Sequence, residues 1–410
     1  MLSRNERCKL SSDLARYFER LTKSLPEEMT SLHSSRLVVL FLGTVGADIL
    51  SECNTLPASD LTAWVYSHQI TVNSGIMLNV CSLSLHIDAK DKTFGGFRSL
   101  LYTKNATCCD SAKSYDASHI TMVYTALSTL LTLNDGLQGV DRSHILPGIS
   151  ALQCSDEPGL FKAGFVCHER DMRFVFSAVA SCYILDGLYA LDKEAIVGFI
   201  GRSLTHDGGF GCLPGLEAHA GATYCAVASL ALLDRLDSFL PPGSRPRDRL
   251  IKWLLSLQSE GLHGRLHKPD DTCYTFWVCA SLKLLRCEDL INRDAVILFV
   301  ARSWDPHSGG IRKYPDPSYP PDPLHTFLAL SGLACLKSVD TVHTTQQDNT
   351  FTPNGASDDP LSKATAAFHW LLENVLQPVH PALNISQRAF ERLRELHLSW
   401  KRSPSTHSVL

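Results

Sequence analysis

The fold class this sequence predicts is all-α, in the form of an α/α toroid. About six helical hairpins would set parallel inner helices around a central apolar cavity, inside an outer helical shell. Three observations lead there. Glycine-rich breaks recur at a spacing of about fifty residues, each is followed by an almost wholly apolar segment, and amphipathic segments lie between.

The breaks read Gly95-Gly96-Phe97, Pro158-Gly159-Leu160, Asp207-Gly208-Gly209-Phe210, Gly261-Leu262-His263-Gly264 and Ser308-Gly309-Gly310-Ile311. The apolar segments stack in one register without a gap. They are RLVVLFLGTVGADIL from Arg36, HITMVYTALSTLLTL from His119, DMRFVFSAVASCYIL from Asp171, HAGATYCAVASLALL from His219, DTCYTFWVCASLKLL from Asp271 and DPLHTFLALSGLACL from Asp322. Each is longer than a typical strand, with Ala, Ser, Cys and Gly where helices must approach closely, so each predicts a helix buried on most sides. Between them, Asp248 to Gln258 sets Leu250, Ile251, Leu254, Leu255 and Leu257 against a polar stripe, as an outer helix would.

The toroid domain is expected over 36–400, after an N-terminal helical segment, 1–35, whose Leu14, Tyr17, Phe18 and Leu21 fall on one helical face. Residues 339–359 read as a polar insertion, 363–376 and 387–400 as two closing helices, and 401–410 as a loose tail.

The chain has 410 residues, of which 44% are hydrophobic and 20% charged, with 38 Lys and Arg against 42 Asp and Glu. A net charge of −4 without a basic stripe argues against nucleic acid as a partner. The 14 cysteines lie mostly in apolar runs and form no C-x-x-C pair, as expected of core thiols in a reducing compartment. The polar N-terminus lacks the apolar core of a signal peptide, and the greasy run from Leu37 to Leu50 carries Asp48 and is too short to span a bilayer. A cytoplasmic protein without a transmembrane segment is expected.

Parallel inner helices would gather Arg36, His119, Asp171, His219, Asp271 and Asp322 at one mouth of the ring. Aspartate is a favoured helix cap and histidine is not, so capping is an equal reading for Asp171 and a poor one for the two histidines. Asp271, Cys273 and His325 would then meet on neighbouring helix starts. A carboxylate, a thiolate and an imidazole are three Zn²⁺ ligand types, and three protein ligands leave a fourth position open. Taken without the register, the same residues read as a cap, a core thiol and a surface histidine. Beside them Arg265, Lys268, His219 and Tyr274 suit a diphosphate held near helix N-termini, although a solvated loop explains the two cations alone.

The stretches GRLHKPDDTCYTFW, DGGFGCLPGLEAHAGATYC and LHTFLALSGL, with HPALNISQRAFERLRELHLSW near the C-terminus, resemble the β subunits of the protein prenyltransferases. The likeness covers most of the chain. The KPxDTCYxFW form and the HPALN segment are most like the type I geranylgeranyl members. The resemblance implies zinc ligands at Asp271, Cys273 and His325, and diphosphate contacts at His219, Arg265, Lys268 and Tyr274. It also implies an α subunit that wraps the toroid and supplies a lysine. Lys313 falls where farnesyl enzymes carry a carboxylate that helps bind Mg²⁺, so Mg²⁺ should be dispensable. Val38 falls where farnesyl enzymes close the pocket with a Trp, which leaves room for one more isoprene unit. Arg173 is expected to face the acceptor peptide, with a salt bridge to a neighbouring helix as an equal reading.

The implied reaction moves geranylgeranyl from geranylgeranyl diphosphate to the Cys of a C-terminal CaaX motif, with X often Leu, on proteins such as Rho-type small GTPases. A farnesyl or Rab-directed β subunit is the nearest alternative. A terpenoid cyclase would need a DxDD-type acid that Asp270-Asp271 does not supply. A non-catalytic toroid scaffold would not be expected to keep three ligand types and their neighbouring cations together.

Overall fold

The six stacked segments form the inner wall of a closed ring in the computed structural model, which describes residues 4–23, 25, 27–71, 94–99, 117–337 and 359–402. In chain order, α1 (Arg4–Lys23) leads to α2 (Arg36–Ile49), α3 (Ala58–Ser67), α4 (Ile120–Thr132) and α5 (Arg142–Ala151). Then come α6 (Met172–Ile184), α7 (Lys193–Arg202), α8 (Ala220–Leu232), the single turn α9 (Leu236–Phe239) and α10 (Arg245–Ser256). The series ends with α11 (Tyr274–Leu284), α12 (Arg293–Ser303), α13 (Pro323–Cys335), α14 (Pro360–Asn374) and α15 (Gln387–Arg402). Helices α2, α4, α6, α8, α11 and α13 pack in sequence, and α13 returns onto α2. The expected inner ring is therefore present and complete.

Almost every residue of these six helices is buried, so their hydroxyls need partners inside the ring. Thr44, Thr129, Ser229 and Ser281 each donate to the carbonyl four residues earlier at 2.7–2.8 Å, which satisfies the hydroxyl without leaving the helix. Small residues set the interhelical distance. A Cβ on Gly332 of α13 would lie 2.3 Å from the Thr275 carbonyl carbon of α11. Gly332→Ala is expected to destabilise the fold by about 1–3 kcal/mol through overpacking, read as a lower denaturant midpoint at unchanged slope.

The breaks before the inner helices have a shared geometry. Gly208 has φ +106° and lies against the backbone of Arg249 in α10, while Gly309 has φ +83° and lies against the carbonyl of Asp13 in α1. A side chain fits neither the left-handed backbone nor the space. At the last break, α1 thus stands where α10 stands at an earlier one. Leu14, Tyr17, Phe18 and Leu21 of α1 are buried as their spacing predicts, with the Phe18 ring over Gly46 of α2.

The outer helix α10 begins three residues before the predicted stretch, because Pro246 fits its first turn. The insertion at 339–359 lies outside the described residues except for Asp359, which caps α14, and the tail lies outside them after Arg402. The closing helices are α14 and α15, joined through a hairpin of β1 (Val379–His380) and β2 (Ile385–Ser386). Arg388 bonds Asp48 and the Thr132 carbonyl, each at 2.7 Å, at the C-terminal ends of α2 and α4, so this segment closes the end opposite the mouth. Met29–Ile49 is long and apolar enough to cross a membrane, but it is 67% buried and α2 within it is part of the ring wall.

Candidate functional site

Four of the six residues heading the stacked segments, His119, Asp171, His219 and Asp322, cap their helices, and Asp271 accepts from the backbone of Cys273, which itself heads α11. Asp171, Asp271 and Asp322 accept from the backbone of Arg173, Cys273 and His325, and Nδ1 of His119 and His219 accepts from Thr121 and Gly221. Capping therefore explains the two histidines as well, which corrects the expectation from residue preference. Arg36 differs, bonding the Lys23 carbonyl. These bonds at the helix starts place the five side chains at one mouth, as parallel inner helices require.

Asp271, Cys273 and His325 come together there, with one ligand-type atom from each within 4.8 Å of the others. Asp271 Oδ1 lies 3.1 Å from His325 Nε2 and accepts the Cys273 backbone N–H at 2.9 Å. His325 Nδ1 is held at 2.5 Å by Asp322, which also caps α13. That carboxylate fixes the ring with Nε2 turned toward Asp271, the arrangement that orients a metal-binding imidazole. Burial opposes charge on His325, but its bonds to Asp271 and Asp322 prevail and raise its pKa to about 9. Burial likewise works against the Asp271 carboxylate and is outweighed by His325, so its pKa is lowered. Burial and the Asp271 charge push the Cys273 thiol far up. Among the described residues this is the group of ligand-type side chains close enough to share an ion, and its sulfur, nitrogen and oxygen donors fit Zn²⁺.

Lys313 reaches the cluster from the loop before α13, with Nζ 3.6 Å from Asp271 Oδ2. His219 Nε2 lies 3.2 Å from the Tyr274 hydroxyl. Since Nδ1 of His219 accepts from Gly221, the neutral ring carries its proton on Nε2 and presents a donor to the rim. Burial, then Arg265, lowers the His219 pKa and favours that neutral form. Burial raises the Tyr274 pKa, so it keeps its phenolic proton.

Arg265 stands beside this pair but is joined to Glu217 at 3.0 Å, a partner the sequence did not suggest. Lys268 is exposed on the same loop. Arg173 is tied to Asp171 at 2.6 Å and Glu169 at 2.5 Å. These partners are its own helix cap and the preceding loop rather than a neighbouring helix.

Below the mouth the sixth residue of every stacked segment is aromatic: Phe41, Tyr124, Phe176, Tyr224, Phe276 and Phe327. Their rings meet around the ring interior, with centroids 4.9–5.8 Å apart for Phe327–Phe41, Phe41–Tyr124, Tyr124–Phe176, Phe176–Tyr224 and Tyr224–Phe276. The signal for this column in the stacked sequence is the aromatic residue at the sixth position of every segment. Val38 stands one helical turn before Phe41 on the same face and is half-buried.

The chain belongs to the family defined by the prenyltransferase alpha-alpha toroid domain, which it matches over residues 10–385. Within that family it is similar to the geranylgeranyl transferase type-1 β subunit of Dictyostelium discoideum, at 33% identity over 80% of this chain and 91% of that one. The corresponding subunit of Arabidopsis thaliana is 30% identical over 78% of this chain and 83% of its own length. A solved structure titled as the Candida albicans protein geranylgeranyltransferase-I complexed with GGPP shares the fold, with a TM-score of 0.71. That match has 20% identity and covers 94% of this chain and 98% of the other.

Proposed function

We propose that this chain is the catalytic β subunit of a type I protein geranylgeranyltransferase, acting with an α subunit in the cytoplasm on CaaX proteins such as Rho-type small GTPases. The observation that carries the reading is the convergence of Asp271, Cys273 and His325 beside Lys313 at the mouth of an aromatic-lined ring. Ten described cysteines are free, consistent with a reducing compartment. Val166, Leu216, Leu266 and Tyr319 stand exposed on the segments leading into α6, α8, α11 and α13, and Leu324 on the first turn of α13, a surface suited to a protein partner.

Asp271, Cys273 and His325 would hold Zn²⁺, which when bound stabilises the acceptor thiolate near neutral pH. A sulfur–carbon bond forms at carbon 1 of geranylgeranyl diphosphate, the carbon–oxygen bond breaks, the diphosphate leaves and the thiol proton passes to solvent. His219 and Tyr274 offer hydrogen-bond donors to the leaving oxygens, and Lys313, Arg265 and Lys268 supply positive charge where negative charge develops. Arg265 must exchange Glu217 for the diphosphate to do so. The aromatic column offers the lipid an apolar wall.

Co-purification with a candidate α subunit, followed by transfer assays with the C-15 and C-20 diphosphates on peptides ending in Leu or Met, tests the reading. Preferred transfer of the C-20 lipid to peptides ending in Leu is expected; farnesyl transfer alone, or none from a metal-loaded heterodimer, refutes it. With Lys313 supplying charge at the leaving group, the wild-type rate is expected to be unchanged when Mg²⁺ is removed by a Mg²⁺-selective chelator. A strong Mg²⁺ requirement would contradict that role.

A further inference from the structure

We propose that Lys313 is a shared cation, held by Asp271 in the free enzyme and taken by the lipid diphosphate when it binds, so that diphosphate binding tightens the hold on the metal. The proposal rests on the reading of the site given above, and it concerns how the metal half and the leaving-group half communicate.

Its basis is the placement of Lys313. The Thr272 N–H donates to the Lys313 carbonyl at 3.1 Å, and the Thr272 hydroxyl donates to the Arg312 carbonyl at 2.8 Å. Thr272 lies between Asp271 and Cys273, so the backbone that carries Lys313 is bonded to the segment that carries two of the three ligands. The two oxygens of Asp271 are divided. Oδ1 faces His325 and the Cys273 N–H, while Oδ2 faces Lys313 Nζ at 3.6 Å. The neighbouring Arg312 is paired with Asp305 at 2.8 Å and does not compete for this place.

Asp271 is buried, but the Lys313 side chain is 40% exposed, so its ammonium also faces the rim where an anion would arrive. The Tyr314 ring, 5.1 Å from Nζ, lies along its path and gives the ammonium a second contact as it moves. An ammonium beside a carboxylate withdraws part of the charge that the carboxylate can offer a metal. A diphosphate carries more charge than Asp271 and is the stronger partner for Lys313. Once it draws the lysine away, Asp271 regains its full charge and a free Oδ2. Because coupling between two ligands is reciprocal, the metal must then tighten the diphosphate by the same factor.

The test measures Zn²⁺ affinity of the αβ heterodimer by competition with a chromophoric chelator, with and without saturating geranylgeranyl diphosphate and without peptide, so that no turnover occurs. A protein-free titration corrects for zinc bound by the diphosphate itself. In the wild type the diphosphate is expected to tighten zinc by about fivefold or more, within the usual range for coupled sites. In Lys313→Met, zinc is expected to bind more tightly than in wild type before any lipid is added, and the diphosphate effect should shrink to about twofold or less, the share due to direct attraction between the two ligands. Lys313→Arg, which keeps the charge, should retain the coupling. A lysine that merely supported the loop would leave Lys313→Met with weaker zinc binding, and that result, or an unchanged diphosphate effect in Lys313→Met, overturns the proposal. If the wild-type heterodimer binds no zinc or no lipid diphosphate, the functional reading itself fails and the proposal with it.

Discussion

Asp271→Ala, purified as the heterodimer, is expected to lose its zinc and with it about two to three orders of magnitude in transfer rate. Loss of an outer-shell partner alone typically weakens a metal site about 10–100-fold, and Asp271 is placed to be a direct ligand. The change also removes the acceptor for the Cys273 N–H and the group facing His325 Nε2. The lost hydrogen bond to the Cys273 N–H costs about 1 kcal/mol, which a ring of this size should survive, so zinc content can be read on folded protein. Asp271→Asn separates the two effects, because its side-chain oxygen can still accept the Cys273 N–H but carries no charge. Metal analysis that finds full occupancy in Asp271→Ala would take this residue out of the ligand set.

The second large effect is expected at Val38. It stands one turn before Phe41 on the helix face that carries the aromatic column, and if that face lines the lipid site, Val38→Trp would fill its space. Burial contributes about 0.8 kcal/mol per CH₂, so denying space to the five carbons by which the C-20 chain exceeds the C-15 chain shifts preference by up to about 4 kcal/mol. The measurement is the ratio of kcat/KM for the two diphosphates. An unchanged ratio would mean that the lipid end does not reach Val38.

The ring was legible in the sequence because each inner helix is buried on nearly all sides, which leaves a long apolar run bounded by glycine breaks. The convergence of Asp271, Cys273 and His325 was legible for a related reason: once the segments share a register, the three fall at the starts of neighbouring helices. The ion pairs were not. Arg265 and Glu217 lie in different breaks, and Arg173 had several acids within reach, so only three-dimensional loop paths decide between partners. Capping by the two histidines reads as poor from residue preference because preference scales average over sites, whereas here the turn before each helix brings Nδ1 to the backbone. Asp322 was visible as a mouth residue, but its grip on His325 depends on a side-chain rotation that spacing does not specify.

The contact of Asp13 with Gly309 brings the start of the chain against its last break, and α13 meets α2 across a similar separation. During synthesis the opening helices leave the ribosome long before their neighbours in the circle exist. Helix α13, which carries His325, is made well after α2, and its seat is complete only when the two meet. Closure of the ring therefore comes late, and a prematurely ended chain is expected to present an open arc of greasy helices rather than a smaller working version of the enzyme.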